Sequence, residues 1–190
     1  MNHLTRLGVV LTLCFATKAC SASELKQLPA VQQRDAGASI TVNRVGHPID
    51  LPLATLAGAT FVGSNGELIL YNDNKGLYAS VVTPEDWGNP PIQMNTAPKL
   101  IFNREVDVVK DATFREELKG IIRIILEPAD QKELRIVQVG EITAYIAFNP
   151  EKTTIMLTSP NKPDLFSQLV LDGFSWEEIE EEVLKGIKGN

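Results

Sequence analysis

Apolar and polar residues alternate along several short stretches of the chain, and this period of two is typical of β-strands with one buried face. In the first half of the chain the alternation covers residues 40–42 and 49–53, and then residues 67–71 and 76–83. Residues 72–75 contain two Asn and one Asp, which tolerate left-handed backbone. The pattern therefore predicts two early strands followed by a hairpin.

Three more strands are predicted in the second half, at residues 134–139, 141–148 and 153–158. The last two are joined by a turn with the sequence Asn-Pro-Glu-Lys at residues 149–152. Regular alternation followed by a short polar connection is the signature of antiparallel neighbours.

The stretch between the two groups of strands is rich in proline. Residues 83–98 contain four prolines, which remove backbone donors and restrict the preceding residue, so a long surface loop is predicted there. Residues 99–109 return to alternation and are predicted to form a strand.

A helix is predicted over residues 111–126, where apolar positions recur every three or four residues. Thr113 and Glu116 have the spacing of a capping box, and Pro128 marks the end. The apolar stripe consists of Phe114, Leu118, Ile121, Ile122 and Ile125.

Two C-terminal helices are predicted. Residues 163–171 have helical apolar spacing and end at Gly173, and Ser175 with Glu178 then caps a last helix. The stripe of that helix is Trp176, Ile179, Val183, Leu184 and Ile187. The predicted fold class is α+β: an antiparallel sheet of about six to eight strands, covered on one face by one central and two C-terminal helices.

The chain begins with the pattern of an export signal. Arg6 precedes an apolar run at residues 7–16, and small residues at Cys20 and Ala22 suit cleavage before Ser23. The run is too short to span a bilayer. We therefore predict three parts: a signal peptide at residues 1–22, a flexible arm at residues 23–39, and a single α+β domain at residues 40–190.

Export implies a periplasmic or secreted protein of bacteria, with no membrane span after processing. An alternative is a lipoprotein anchored through Cys20, because Ala19 suits the position before a lipidated cysteine, although Thr17 and Lys18 depart from the usual pattern. An uncleaved anchor is the third possibility.

Charge narrows the range of partners. The formal net charge is −6, and it becomes −8 when Arg6 and Lys18 leave with the predicted signal. An acidic surface argues against nucleic acid, which is bound by clustered Lys and Arg. It favours a partner protein with a basic patch.

The predicted mature chain contains few side chains of the types that usually bind metals or cofactors. Cleavage before Ser23 removes Cys14 and Cys20 and leaves His47 as the single histidine, which cannot supply a usual zinc set. No cofactor motif is present. His47 precedes Pro48 and is interpreted as a solvated turn residue.

Two places have binding character. Glu85 and Asp86 stand beside Trp87 in the proline-rich loop, where an aromatic ring is a common interface anchor that need not contribute to stability. The second place is an acidic run on the last helix, where Glu178 and Glu181 are candidates for steering a basic partner. Both groups also have ordinary structural explanations: a helical first turn at Glu85 and Asp86, and a solvated face at Glu178 and Glu181.

These observations favour a non-catalytic exported protein of the bacterial envelope that acts by protein–protein binding, either as an inhibitor or immunity-type protein or as an assembly accessory. One alternative is a cell-wall hydrolase that uses Glu85, Asp86 or His47. The other is a periplasmic carrier of a small ligand, with a pocket lined by Phe102, Phe114 and Tyr145.

Overall fold

The computed structural model of the chain describes most of the predicted domain and arm. The described residues are 23–35, 37–43, 45–63, 66–127 and 131–189. The predicted signal at residues 1–22 and the predicted helix stop at Pro128 lie outside the described residues.

Within the described residues, ten strands are arranged in two sheets. They are β1 (Lys26–Gln27), β2 (Ser39–Val42), β3 (Ile49–Pro52), β4 (Thr60–Gly63), β5 (Glu67–Leu70), β6 (Gly76–Val82), β7 (Glu133–Val139), β8 (Ile142–Phe148), β9 (Lys152–Thr158) and β10 (Phe166–Asp172). Eight of them form one sheet in the order β1-β7-β8-β9-β10-β6-β5-β4, and β2 pairs with β3 in a separate two-stranded sheet. Neighbours in the large sheet are antiparallel except β1 and β7, which are parallel. The predicted α+β class with a large antiparallel sheet is confirmed.

The helices and short helical turns complete the fold. They are α1 (Ala97–Asn103), α2 (Ala112–Leu126), the 3-10 turns Glu85–Trp87, Met94–Thr96 and Val106–Val108, and a C-terminal helical segment made of Trp176–Glu178, the π-helical Ile179–Val183 and the 3-10 turn Leu184–Gly186. The C-terminal segment begins at the predicted capping box, in which Ser175 and Glu178 bond each other's backbone. Helix α2 matches its predicted range, but Asp111 caps it in place of Thr113: Asp111 Oδ1 accepts a 2.7 Å hydrogen bond from the Phe114 N–H.

The large sheet is covered on both faces, which corrects the prediction of cover on one face. Helices α1 and α2 pack on one side, called here the helix face, over residues such as Met156 and Phe166. The β2–β3 hairpin and the C-terminal helical segment pack on the other side, called here the hairpin face, over residues such as Ile155 and Leu169. Because the central strands are buried on both sides, β9 shows no polar face: residues 153–158 are all buried.

Double burial also explains why the predicted helix at residues 163–171 is wrong. This stretch forms strand β10, hydrogen-bonded between β6 and β9. Phe166 points to the helix face while Leu169 and Leu171 point to the hairpin face. A strand that is apolar on both faces has no alternation, and its spacing can imitate a helix.

The predicted strand at residues 99–109 is also wrong, because the chain forms helix α1 there. Pro98 occupies the first turn, where its missing N–H costs nothing, and the helix ends at Arg104 with a left-handed φ of 57°. Ala97 and Ile101 are buried four residues apart, as are Pro98 and Phe102. The two pairs define a helical face that the alternation of apolar residues concealed.

The N-terminal segment, predicted as a flexible arm, lies along the edge of the large sheet. Strand β1 pairs with β7, and backbone hydrogen bonds continue from Leu28 N–H to Ile136 O and from Val31 N–H to Gln138 O, both 2.9 Å. A further bond of 2.7 Å joins Arg34 N–H to Lys185 O in the C-terminal helical segment. The arm thereby supplies the last strand at this edge of the sheet.

Candidate functional site

The five residues predicted to bind a partner fall into two separate groups. Glu85, Asp86 and Trp87 follow the C-terminal end of β6 and sit over the helix face. Glu178 and Glu181 belong to the C-terminal helical segment on the hairpin face. Lys75, the partner of Glu178, precedes the first residue of β6. A seven-residue strand is about 23 Å long, so the two groups do not form one site.

The first group is held by a rigid turn. Asp86 Oδ2 accepts hydrogen bonds from the Thr83 N–H at 2.8 Å and from Thr83 Oγ1 at 2.9 Å. The turn closes at Gly88, whose φ of 65° is left-handed, and Pro84 fixes its start. Trp87 is therefore presented by fixed backbone.

The Trp87 ring is half-buried and packs on two other aromatic rings. Its centroid lies 5.5 Å from that of Phe166 in an edge-to-face arrangement, and 6.1 Å from that of Phe114 on α2. Phe166 is fully buried. Trp87 consequently contributes to packing of the helix face as well as to the surface, as in the alternative interpretation of a Trp folded back onto the sheet, whereas the binding interpretation predicted little contribution to stability.

The exposed side of Trp87 forms one wall of a groove against α2, called here the Trp87 groove. Its volume is about 460 Å³. It is lined by Asp86, Trp87, Gly88, Phe114, Glu117, Gly120, Ile121 and Ile124. Among these residues there are two carboxylates and no basic side chain. Ile124 is 79% exposed, the most exposed large apolar residue in the described part of the chain.

Gly120 lines this groove without a side chain. A β-carbon placed on Gly120 would have no atom within 4 Å, although the residue lies in the interior of α2. Glycine in a helix interior costs about 1 kcal/mol relative to alanine. Neither a close approach nor a turn requires glycine here, and a side chain at this position would enter the groove that Gly120 lines.

The second group is engaged within the chain. Glu178 Oε1 pairs with Lys75 Nζ at 2.7 Å, and Glu178 Oε2 accepts from the Ser175 N–H at 2.9 Å. The hydrogen bond from Lys75 holds the pKa of the Glu178 carboxyl below its usual value. Glu181 forms an ion pair with Lys185 one helical turn later. These two carboxylates have intramolecular roles in the structure.

A small cleft beside Glu178 contains further titratable groups. Its volume is about 250 Å³. Burial raises the pKa of Glu182, and the nearby Glu178 charge adds to that effect. Burial and the Glu182 charge raise the pKa of Tyr71, whose hydroxyl is enclosed and makes no hydrogen bond to the described residues. Because this hydroxyl is enclosed, the cleft offers a ligand mainly carboxylates already paired with Lys75.

His47 is buried, at 1% exposure, so its interpretation as a solvated turn residue is wrong. The ring atom Nδ1 of His47 lies 2.6 Å from Ser167 Oγ on β10. The backbone N–H of His47 donates to the same oxygen at 3.0 Å. Ser167 Oγ in turn donates to Val45 O, so the Nδ1 atom must carry the proton. Nε2 is then an unprotonated acceptor, enclosed and without a hydrogen-bond partner among the described residues.

This environment keeps the His47 ring neutral. Burial, aided by the nearby Lys162 charge, lowers the pKa of His47 to about 4. Ser167 is fully buried, so the pair has no access to a substrate. No motif in the sequence could have placed these two residues, 120 positions apart, in contact.

The residues named for a hydrolase do not converge, and those named for a carrier pocket come together as packed core. His47 lies under the hairpin face, whereas Glu85 and Asp86 lie over the helix face. Phe102 and Tyr145 pack against each other with ring centroids 5.6 Å apart, and both are buried with Phe114 in the core of the helix face. In the described residues no group of His, Cys, Asp and Glu could hold a metal ion, and no helix is long and apolar enough to cross a membrane.

Comparison with known proteins gives the chain no relatives: no family model, no curated protein and no solved structure matches it. The candidate site therefore rests on its geometry, and the Trp87 groove is the place where a predicted binding residue, an open apolar surface and uncompensated acidic charge coincide.

Proposed function

We propose that the protein is an exported, non-catalytic protein of the bacterial envelope that binds another protein through the Trp87 groove. The observation that carries the proposal is the groove itself: apolar walls from Trp87, Ile121 and Ile124, bordered by Asp86 and Glu117. Such a surface fits an aliphatic or aromatic side chain flanked by Lys or Arg on the partner. Export rests on the sequence pattern at residues 1–22.

Three features of the groove suit binding. Trp87 is already immobilised on Phe114 and Phe166, so little side-chain entropy is lost when a partner covers it. Ile124 exposes apolar area that nothing in the described chain covers. The acidic border and the negative net charge would accelerate association with a basic partner.

The test compares variants in affinity capture from envelope extract, followed by titration of the captured partner in purified form. Gly120→Gln is the decisive variant because it places a side chain into the groove while replacing a poor helix former. We expect binding to weaken at least about tenfold, with a stability equal to or above that of the unaltered protein. Loss of binding could then not be attributed to unfolding.

Matched controls separate the two acidic regions. Glu117→Lys should slow association and reduce its dependence on salt, whereas Glu181→Lys, with the same change of charge on the hairpin face, should bind normally. Ile124→Ser should weaken binding and Leu53→Ser, which alters an exposed apolar residue outside the groove, should not. The proposal fails if no stoichiometric partner is captured, or if Gly120→Gln and Ile124→Ser bind as well as the unaltered protein.

A further inference from the structure

Strand β4 leaves one edge of the large sheet open. It pairs with β5 on its inner side, and no described residue pairs with its outer side. All four of its residues, Thr60–Gly63, are exposed. It contains no charged residue and no proline, the devices by which sheet edges are usually protected from further pairing.

Apolar surface adjoins this edge on both faces of the sheet. On the helix face, the register places Val62, Leu68, Tyr78 and Val170 in one row of directly opposed residues across four strands. Helices α1 and α2 leave the outer part of this row uncovered: Tyr78 is 39% and Val62 47% exposed. Phe61 is 45% exposed and lies on the hairpin face, opposite Ile69.

We infer that β4 pairs antiparallel with β4 of a second copy of this chain, which joins the two sheets into one across a two-fold axis. The axis lies perpendicular to the sheet, because only then do the helix faces of both copies lie on the same side. Directly opposed residues must share a face, so the axis passes at a residue: Phe61 faces Phe61 of the second copy, or Val62 faces Val62.

A second copy fits this edge better than a single added strand from another protein. An added strand covers the outer backbone groups of β4 but presents a new open edge of its own. Two-fold pairing gives hydrogen-bond partners to the outer backbone N–H and C=O groups of both β4 strands. It leaves no open edge at the interface. It also brings the uncovered apolar parts of the two helix faces together.

Charge supports the same location for a self-contact. Two copies of an acidic chain repel each other over most of their surface, so contact is favoured where charge is absent. Strand β4 itself is uncharged, and the one charged residue of the paired strand β5 is Glu67, opposite Gly63 at the end of the pair. Thr60, Phe61 and Val62 have high strand propensity, and opposed aromatic or β-branched residues stabilise antiparallel pairs.

Sedimentation of the purified protein over a range of concentrations tests the inference. We expect a species with twice the mass of the monomer. Val62→Lys should weaken its association by more than about 100-fold, because the two new lysines lie opposite each other in the Val62 register and diagonally across the axis in the Phe61 register. Leu53→Lys introduces the same charge at a residue of similar exposure away from the edge and should leave the dimer intact.

A cross-linking variant tests the same pairing if Val62→Lys disturbs folding. In a background with Cys14 and Cys20 changed to serine, the residue at the axis should form an intermolecular disulfide on mild oxidation, through Phe61→Cys in the first register or Val62→Cys in the second, since opposed β-carbons in an antiparallel pair lie about 5 Å apart. Leu53→Cys should not. A protein that stays monomeric at high concentration, or a dimer that neither edge variant affects, overturns the inference. The capture experiments on the Trp87 groove are independent of either result.

Discussion

At the scale of single residues, His47 shows how burial changes the chemistry of a side chain. Its Nδ1–H donates a hydrogen bond to Ser167 Oγ, and its Nε2 atom is enclosed without a partner in the described structure. Adding a proton to Nε2 would create a buried cation near Lys162. The fold therefore tolerates only the neutral ring.

The first prediction concerns the dependence of stability on pH. The pKa of His47 is about 4 in the folded protein and 6.5 in the unfolded chain. Between these values the unfolded state binds more protons, so the free energy of unfolding decreases as pH falls from 6.5 to 4. The contribution of His47 reaches about 3 kcal/mol at the lower limit.

Urea denaturation at several pH values checks this prediction. His47→Asn retains a donor for Ser167 but does not titrate, so its stability should change less between pH 6.5 and 4 than that of the unaltered protein. Carboxylates titrate in both proteins, and the difference between the two profiles isolates His47. Parallel profiles would show that the buried ring is not the source of acid sensitivity.

At the scale of elements, helix α2 has apolar residues on two sides, one buried and one exposed. Leu118 and Leu126 are fully buried against the sheet, whereas Ile124 projects into the groove with 79% of its surface exposed. The buried apolar stripe of α2 is thus adjacent in sequence to Ile124, an apolar residue at the surface. The sequence pattern alone does not separate them.

The second prediction contrasts these two sides of α2. Leu118→Ala should lower the free energy of unfolding by about 2 to 5 kcal/mol, because it removes buried methyl groups and leaves a cavity. Ile124→Ala should change it by less than about 0.5 kcal/mol, apart from the gain in helix propensity. Chemical denaturation of both variants measures the difference. Equal effects would mean that α2 is not oriented as the structure shows.

At the scale of the whole molecule, the arm at residues 23–35 joins the two layers of the fold. It pairs with β7 in the large sheet and reaches the C-terminal helical segment through the bond from Arg34 to Lys185. Leu28 and Val31 pack against the core of the hairpin face. The arm therefore stabilises an edge that would otherwise be open.

The third prediction is that a protein lacking residues 23–34 is less stable and associates more readily. Its β7 edge would lose the bonds from Leu28 and Val31 and expose Ile136 and Val137. Thermal denaturation should show a lower midpoint, and light scattering should show larger species at the same concentration. A double substitution, Leu28→Ser with Val31→Ser, should reduce the midpoint in the same direction. An unchanged midpoint in both would show that the arm contributes nothing to the fold.

The sequence by itself determined the local elements whose pattern has one dominant cause. Helix α2, strands β5 to β9 and the Ser175 capping box follow from amphipathic period, turn residues and caps, which act over a few neighbouring residues. Trp87 also stood out, because a tryptophan in a proline-rich loop is conspicuous without a structure.

Tertiary structure decided what depends on residues distant in the chain. Strand β10 is buried on both faces of the sheet, and helix α1 is set by one face packed over that sheet, which local spacing does not encode. The contact of His47 with Ser167, the docking of the arm and the groove between Trp87 and α2 exist only after distant segments meet. Local forces act through sequence neighbours, whereas sites form where packing brings separate elements together.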